Sequence, residues 1–197
     1  MKTARIALSA AVMTIAVLTG CGRSSAPHAS SPSASNFAQD GTLESENYST
    51  FTDMLAKRDL SIVGSVNRVA LGPDESTLKT ARVFVSSRKH GVVEVAFVLG
   101  SSASADATLK ELTAALPTGP AVWVLRSIAQ YPGVYRPVNQ AAIIERAPNG
   151  KGQPAFYRGS AEAVRSDRKG IDDLDHLALI RDLNLADFES LTVKAEP

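Results

Sequence analysis

The chain has 197 residues, 44% of them hydrophobic, and its 21 Lys and Arg nearly balance 20 Asp and Glu for a net charge of +1. That balance, with the two signs interspersed, argues against a nucleic-acid surface and against a polybasic patch for anionic lipid. A single cysteine excludes an intramolecular disulfide framework and a cysteine-bound metal centre, and the three histidines lie far apart, so no metal, no other cofactor and no catalytic residue is expected.

Lys2 and Arg5 precede an apolar run from Ile6 to Leu18, thirteen residues long. That is short of the roughly 20 residues that cross a hydrocarbon core, and a basic start followed by a short apolar stretch is the pattern of an export signal. The run closes on Leu18-Thr19-Gly20-Cys21, which holds the chain's only cysteine. This tetrad resembles the lipobox of bacterial lipoproteins. The resemblance implies cleavage after residue 20, diacylglycerol and palmitate-type acylation at Cys21, and a domain held to the cell membrane on its extracytoplasmic side. Removal of residues 1–20 would leave 19 basic residues against 20 acidic, a net charge of −1.

Residues 21–46 then form a linker. The stretch Gly22 to Asn36 carries six serines and two prolines and no large apolar side chain, too little surface to offset its ordering entropy. It is expected to act as a flexible spacer. Residues 47–197 are expected to make one extracytoplasmic α+β domain, mainly an antiparallel β-meander or small barrel with flanking helices.

Tyr48, Phe51 and Leu55 share one face of a short helix. Ser61 to Leu71 reads as a strand, with Ile62, Gly64, Val66 and Arg68 on one side and a bulge or bend at Gly64. Thr80–Ser86 and Val92–Leu99 read as a hairpin closed by His90-Gly91. Leu109, Leu112 and Leu116 line a helix over Asp106–Leu116, with Ser104 as its N-cap. Ala121–Ile128 is a strand with Trp123 and Leu125 on one face and Val122, Val124 and Arg126 on the other. Ala141–Glu145 and Pro154–Tyr157 are shorter strands around the turn Pro148–Gly152. Asp172-Asp173 caps a helix carrying Leu177, Ile180 and Leu183, and Ser190–Lys194 reads as a last strand.

The run Asp59-Leu-Ser-Ile-Val-Gly-Ser-Val66, the valine-rich hairpin and Pro117 to Leu125 together resemble exported bacterial domains of unknown function. In those families a D-x-x-V-x-G-x-V segment opens an OB-like barrel, a pattern shared distantly with netrin-like modules. The resemblance covers about residues 59–145 and implies an OB-like fold without implying a function. The chain departs from the families' Leu-Lys-Gly after the hairpin, having Leu99-Gly100-Ser101.

Ser76-Thr77-Leu78-Lys79 matches the Ser-x-x-Lys of serine β-lactamases, but lies between a turn and a strand, not at a helix start where Lys could take the serine proton. Asp172, Asp173, Asp175 and His176 lack calcium-loop spacing and read as a helix N-terminus. The remaining candidate is Tyr131-Pro-Gly-Val-Tyr-Arg-Pro137, read as a surface loop, with Tyr157 and Arg158. Tyr131, Tyr135, Arg136, Tyr157 and Arg158 bring ring area and hydrogen bonding of the kind found in binding hot spots. The function expected is a non-catalytic domain binding an envelope protein or glycan, with no nucleic-acid partner. The alternatives are an envelope-polymer hydrolase and a lipid or amphiphile carrier.

Overall fold

A computed structural model describes residues 47–73, 79–100, 105–158 and 177–197. Seven strands, β1 (Leu60–Leu71), β2 (Lys79–Ser87), β3 (Gly91–Gly100), β4 (Ala121–Ile128), β5 (Tyr131–Pro137), β6 (Ile143–Arg146) and β7 (Gly152–Pro154), form one sheet. Among the described residues four helices flank it: α1 (Phe51–Ala56), α2 (Ala105–Ala115), α3 (Leu177–Leu185) and α4 (Phe188–Ala195). The class is α+β and the pairing antiparallel throughout, except that β3 and β5 run parallel.

Five strands close a ring in the order β1-β2-β3-β5-β4, because β1 is shared between two neighbours. Its first half pairs with β4, Leu60 opposite Leu125, and its second half pairs with β2, Leu71 opposite Ala81. Gly64 is the switch point, opposite Ala121 on one side and Ser87 on the other. A β-carbon there would stand 2.7 Å from both the Ser86 carbonyl oxygen and Val85 Cγ1, so the crossing admits only glycine. With α2 inserted between β3 and β4 in the chain, this order departs from a simple meander and closes the five strands into a ring.

Strand alternation separates two apolar layers. Ile62, Val83, Val95, Trp123, Leu125 and Ile143 point into the ring, where Leu112 of α2 and Leu116 just beyond it join them, and all are buried. Val122, Val124 and Ile144 point outward into a second layer built from α1, α3 and α4. β4 is therefore covered on both faces over its first half, which explains its unbroken apolar sequence. Thr50 caps α1 by accepting from the Asp53 amide at 3.1 Å, and Asp182 of α3 accepts from the Phe51 amide at 2.8 Å.

Four expectations are corrected. The bulge of β1 falls between Val66 and Arg68, not at Gly64, so Arg68 leaves the face of Ile62 and Val66. Tyr131–Pro137 is a strand: Tyr131 stands opposite Ile128 and Tyr135 opposite Ser127, so residues 132–134 bow out of the β4 ladder. Pro132 needs no donor in that bow, and Gly133 adopts φ +84°. Pro154–Tyr157 is split between the end of β7 and a 3₁₀ turn, Ala155–Tyr157. Ser190–Lys194 lies in helix α4: Asp187 caps it by accepting from the Ser190 amide, and Phe188, Leu191 and Ala195 supply a buried helical stripe. Cys21 and the linker, Ser76, Ser104 and Asp172 to His176 lie outside the described residues.

Candidate ligand-binding face

The outer surface of the ring, opposite its apolar filling, follows from the same alternation. On β2, Ala81, Val83 and Val85 point inward, so Arg82 and Phe84 point outward. Pairing then lays out two rows across the strands. One runs Arg68, Phe84, Glu94, Val134 from β1 to β5. The other begins Ala70, Arg82, Ala96. It continues on β5, where Arg136, two residues on from Val134, comes level with Ala96 and stands opposite Arg126 of β4.

The first row is held by a guanidinium over a ring, with Arg68 Cζ 4.1 Å from the Phe84 centroid. In the second, Arg82 Nε lies 3.2 Å from Glu94 Oε1, with side-chain exposures of 6% and 34%. Arg82 Cζ is also 5.4 Å from the Tyr131 ring centroid. A cation this buried is retained only with such partners.

Arg126 and Arg136 form the unusual pair. Residues directly opposite on antiparallel strands have β-carbons about 5 Å apart, and like charges there are destabilising. Arg126 Nη2 donates to the Lys57 carbonyl at 3.2 Å, which ties this edge to the end of α1. Among the described residues the Arg136 guanidinium has no ion-pair or hydrogen-bond partner. Beside this pair, Asp59 Oδ2 accepts from the Ser127 hydroxyl at 2.6 Å and its amide at 2.8 Å. The Ser127 hydroxyl, then its amide, and the charge of Arg126 hold the Asp59 carboxyl below the usual range, against a small opposing effect of burial.

Of the five binding residues expected from sequence, the fold brings Tyr131 and Arg136 to this face, Tyr131 beside Arg82 and Arg136 two strands away across Ala96. Tyr135 points the other way and packs against the ring interior. Tyr157 is buried in the helical layer, its hydroxyl donating to Gln140 Oε1. Arg158 is a clamp: Nε and Nη2 donate to Glu145 Oε1 and Oε2 at 2.6 and 2.9 Å, and Nη2 and Nη1 donate to the Leu116 and Ala114 carbonyls at 2.9 and 3.2 Å. Its forked donors join β6 to the last carbonyls of α2, so the guanidinium serves the fold.

Arg68, Arg82 and Phe84 escaped the sequence reading. For Arg82 and Phe84 the signal was present in Thr80-Ala-Arg-Val-Phe-Val-Ser86, where alternation sets them against three small apolar residues. A second concavity, an open groove of about 530 Å³, lies between α4 and β1, with Val63, Phe188 and Val193 in its wall and the Arg146–Glu189 pair, 3.4 Å, among its lining residues. His90, the described histidine, sits exposed on the β2–β3 turn. Lys79 of the Ser-x-x-Lys tetrad is the first residue of β2. Comparison of the chain with protein-family models, with curated proteins and with solved structures finds no match.

Proposed function

We propose that this protein is an extracytoplasmic lipoprotein, anchored in the membrane through Cys21, whose folded domain binds a ligand on the outer face of the five-stranded ring and performs no chemistry. The observation that carries the reading is Arg136, half-buried on β5 opposite Arg126 of β4, whose guanidinium has no ion-pair or hydrogen-bond partner among the described residues. A guanidinium fork held there matches the paired oxygens of an anionic group. The filling of the ring by Trp123, Leu125, Ile62 and the leucines of α2 favours surface binding over carriage of an amphiphile inside it.

Two readouts in one bacterial strain test this. Wild-type protein is expected in the membrane fraction with acyl mass on the peptide that begins at Cys21, and Cys21→Ser protein in the soluble fraction. In-cell crosslinking is expected to capture a ligand with wild type and to lose it with Arg126→Gln/Arg136→Gln. Unchanged partitioning of Cys21→Ser sinks the anchor, and capture that survives the arginine changes sinks the face.

A further inference from the structure

We infer that the end of the domain where α1, α4 and the β2–β3 turn come together rests on an anionic phospholipid surface. This inference adds a second surface to the proposed function and rests only on its Cys21 anchor, which holds the domain beside a bilayer.

Charges that are interspersed along the sequence are sorted here by the fold. Lys57 closes α1, and the next residue, Arg58, lines one open concavity with Lys194 from the last turn of α4. Beyond Lys194 the chain runs to Pro197, whose carbonyl accepts from Lys89 Nζ at 2.9 Å, and this contact brings in the β2–β3 turn with Arg88 and His90. Lys57, Arg88, Lys89, His90 and Lys194 are exposed, and neither they nor Arg58 form an ion pair with an acidic side chain among the described residues. The carboxylates on this end are engaged within the fold, Asp59 by the Ser127 amide and hydroxyl, Glu196 by the Val63 amide and the Ser87 hydroxyl. Asp53 belongs to the first turn of α1, at its other end.

Two features select a membrane over other anions. The cations come from three separate elements and spread over a surface instead of converging on a point, which matches a plane of headgroup phosphates. Exposed aliphatic side chains stand beside them: Val92, 60% exposed, follows the β2–β3 turn, and Val193, 68% exposed, precedes Lys194. Bare aliphatics among lysines and arginines are the pattern of interfacial membrane contact. A protein partner would need a desolvated apolar centre with few charges, enriched in aromatic rings. The concavity between Arg58 and Lys194 is walled by Thr52, Leu55 and Ala56 and has no ring in it. Each cation near an anionic surface strengthens attachment roughly fivefold, and the anchor raises the effective concentration of that surface.

The test is sedimentation of the full chain carrying Cys21→Ser with vesicles of phosphatidylglycerol and phosphatidylcholine in equal parts, against vesicles of phosphatidylcholine alone. Every variant keeps the same N-terminal residues, so differences between variants report this end of the domain, and a failed anchor is read separately from a failed surface. Stronger binding to the anionic vesicles is expected, weakening as salt rises. Lys57→Gln/Lys194→Gln, at exposed positions, should keep the melting temperature and weaken that binding at least fivefold. Arg88→Gln/Lys89→Gln, on the turn, should weaken it to a similar extent. Lys110→Gln/Lys151→Gln, which removes the same charge from α2 and from the β6–β7 turn, is expected to bind within twofold of the parent chain. Equal binding to neutral vesicles, no loss in the two variants of this end, or an equal loss in Lys110→Gln/Lys151→Gln overturns the inference. Displacement of the vesicles by poly-glutamate at matched charge overturns it in favour of an acidic polypeptide. A loss in Arg136→Gln equal to theirs also overturns it, and moves vesicle binding to the ring face.

Discussion

The indole Nε1 of Trp123 donates to the carbonyl of Gly64 at 3.2 Å, so the largest side chain inside the ring is oriented by the residue at which β1 changes partners. A fully buried indole needs a partner for its N–H, and the crossing strand supplies it. This gives the Asp59–Val66 motif a physical meaning. Asp59 clips the strand start to Ser127, Ile62 fills the ring opposite Trp123, and Gly64 lets β1 pass against β2.

Gly64→Ala should therefore destabilise by overpacking. The added carbon meets backbone at Ser86 and a buried valine, neither of which can swing away. The expected loss is about 1–3 kcal/mol, read as a lower urea midpoint with an unchanged denaturant slope.

Arg158→Ala should cost stability without touching the outer face. It leaves Glu145, 18% exposed, without its fork and strips two carbonyls at the end of α2. A loss of about 1–3 kcal/mol is expected in chemical unfolding. Arg158→Lys should recover only a fraction, since an ammonium cannot span both carboxylate oxygens and the helix end.

Asp59 sets an acid limit. Its carboxyl is held below the ordinary value in the folded state, so its contribution is present above the unfolded carboxylate value of about 3.9 and is lost as pH falls through the lower folded value. Thermal melts of wild type and Asp59→Asn should differ at neutral pH and converge in acid below about pH 4. A gap that widens on acidification would reverse the assigned sign.

The sequence carried much of the sheet because its strands are either half-buried, as β2 and β3 are, or buried on both faces, as β4 is. In each case the apolar pattern has a single physical reading. Strand β5 was illegible because Pro132 and Gly133 sit in a bow that only the neighbouring strands define. Arg68 was placed on the wrong face because a bulge at Asn67 shifts alternation by one, and no local residue announces it. The site was half legible. Tyr131 and Arg136 reach the candidate face, but the structural role of Arg158, which is exposed as expected, was not legible because its partners Glu145, Ala114 and Leu116 come from two distant stretches.

Helix α4 misled for a related reason: Leu191, Thr192 and Val193 favour a strand locally, and the Asp187 cap with its buried stripe overrides them. Just beyond the helix, the tail is tied back to β1 and to the β2–β3 turn. Glu196 Oε1 accepts from the Val63 amide at 2.6 Å and from the Ser87 hydroxyl at 3.4 Å, while the Ser61 hydroxyl donates to the Ala195 carbonyl and Lys89 Nζ to the Pro197 carbonyl at 2.9 Å. The carboxylate thus serves as a strand partner where β1 has none on that side. Glu196→Ala should expose the Val63 amide to hydrogen exchange and cost about 1–3 kcal/mol, the penalty of an orphaned donor. Glu196→Gln keeps an acceptor oxygen and should retain most of the protection. If both variants exchange at the wild-type rate, the tail does not hold β1, and the edge at Val63 is satisfied by water.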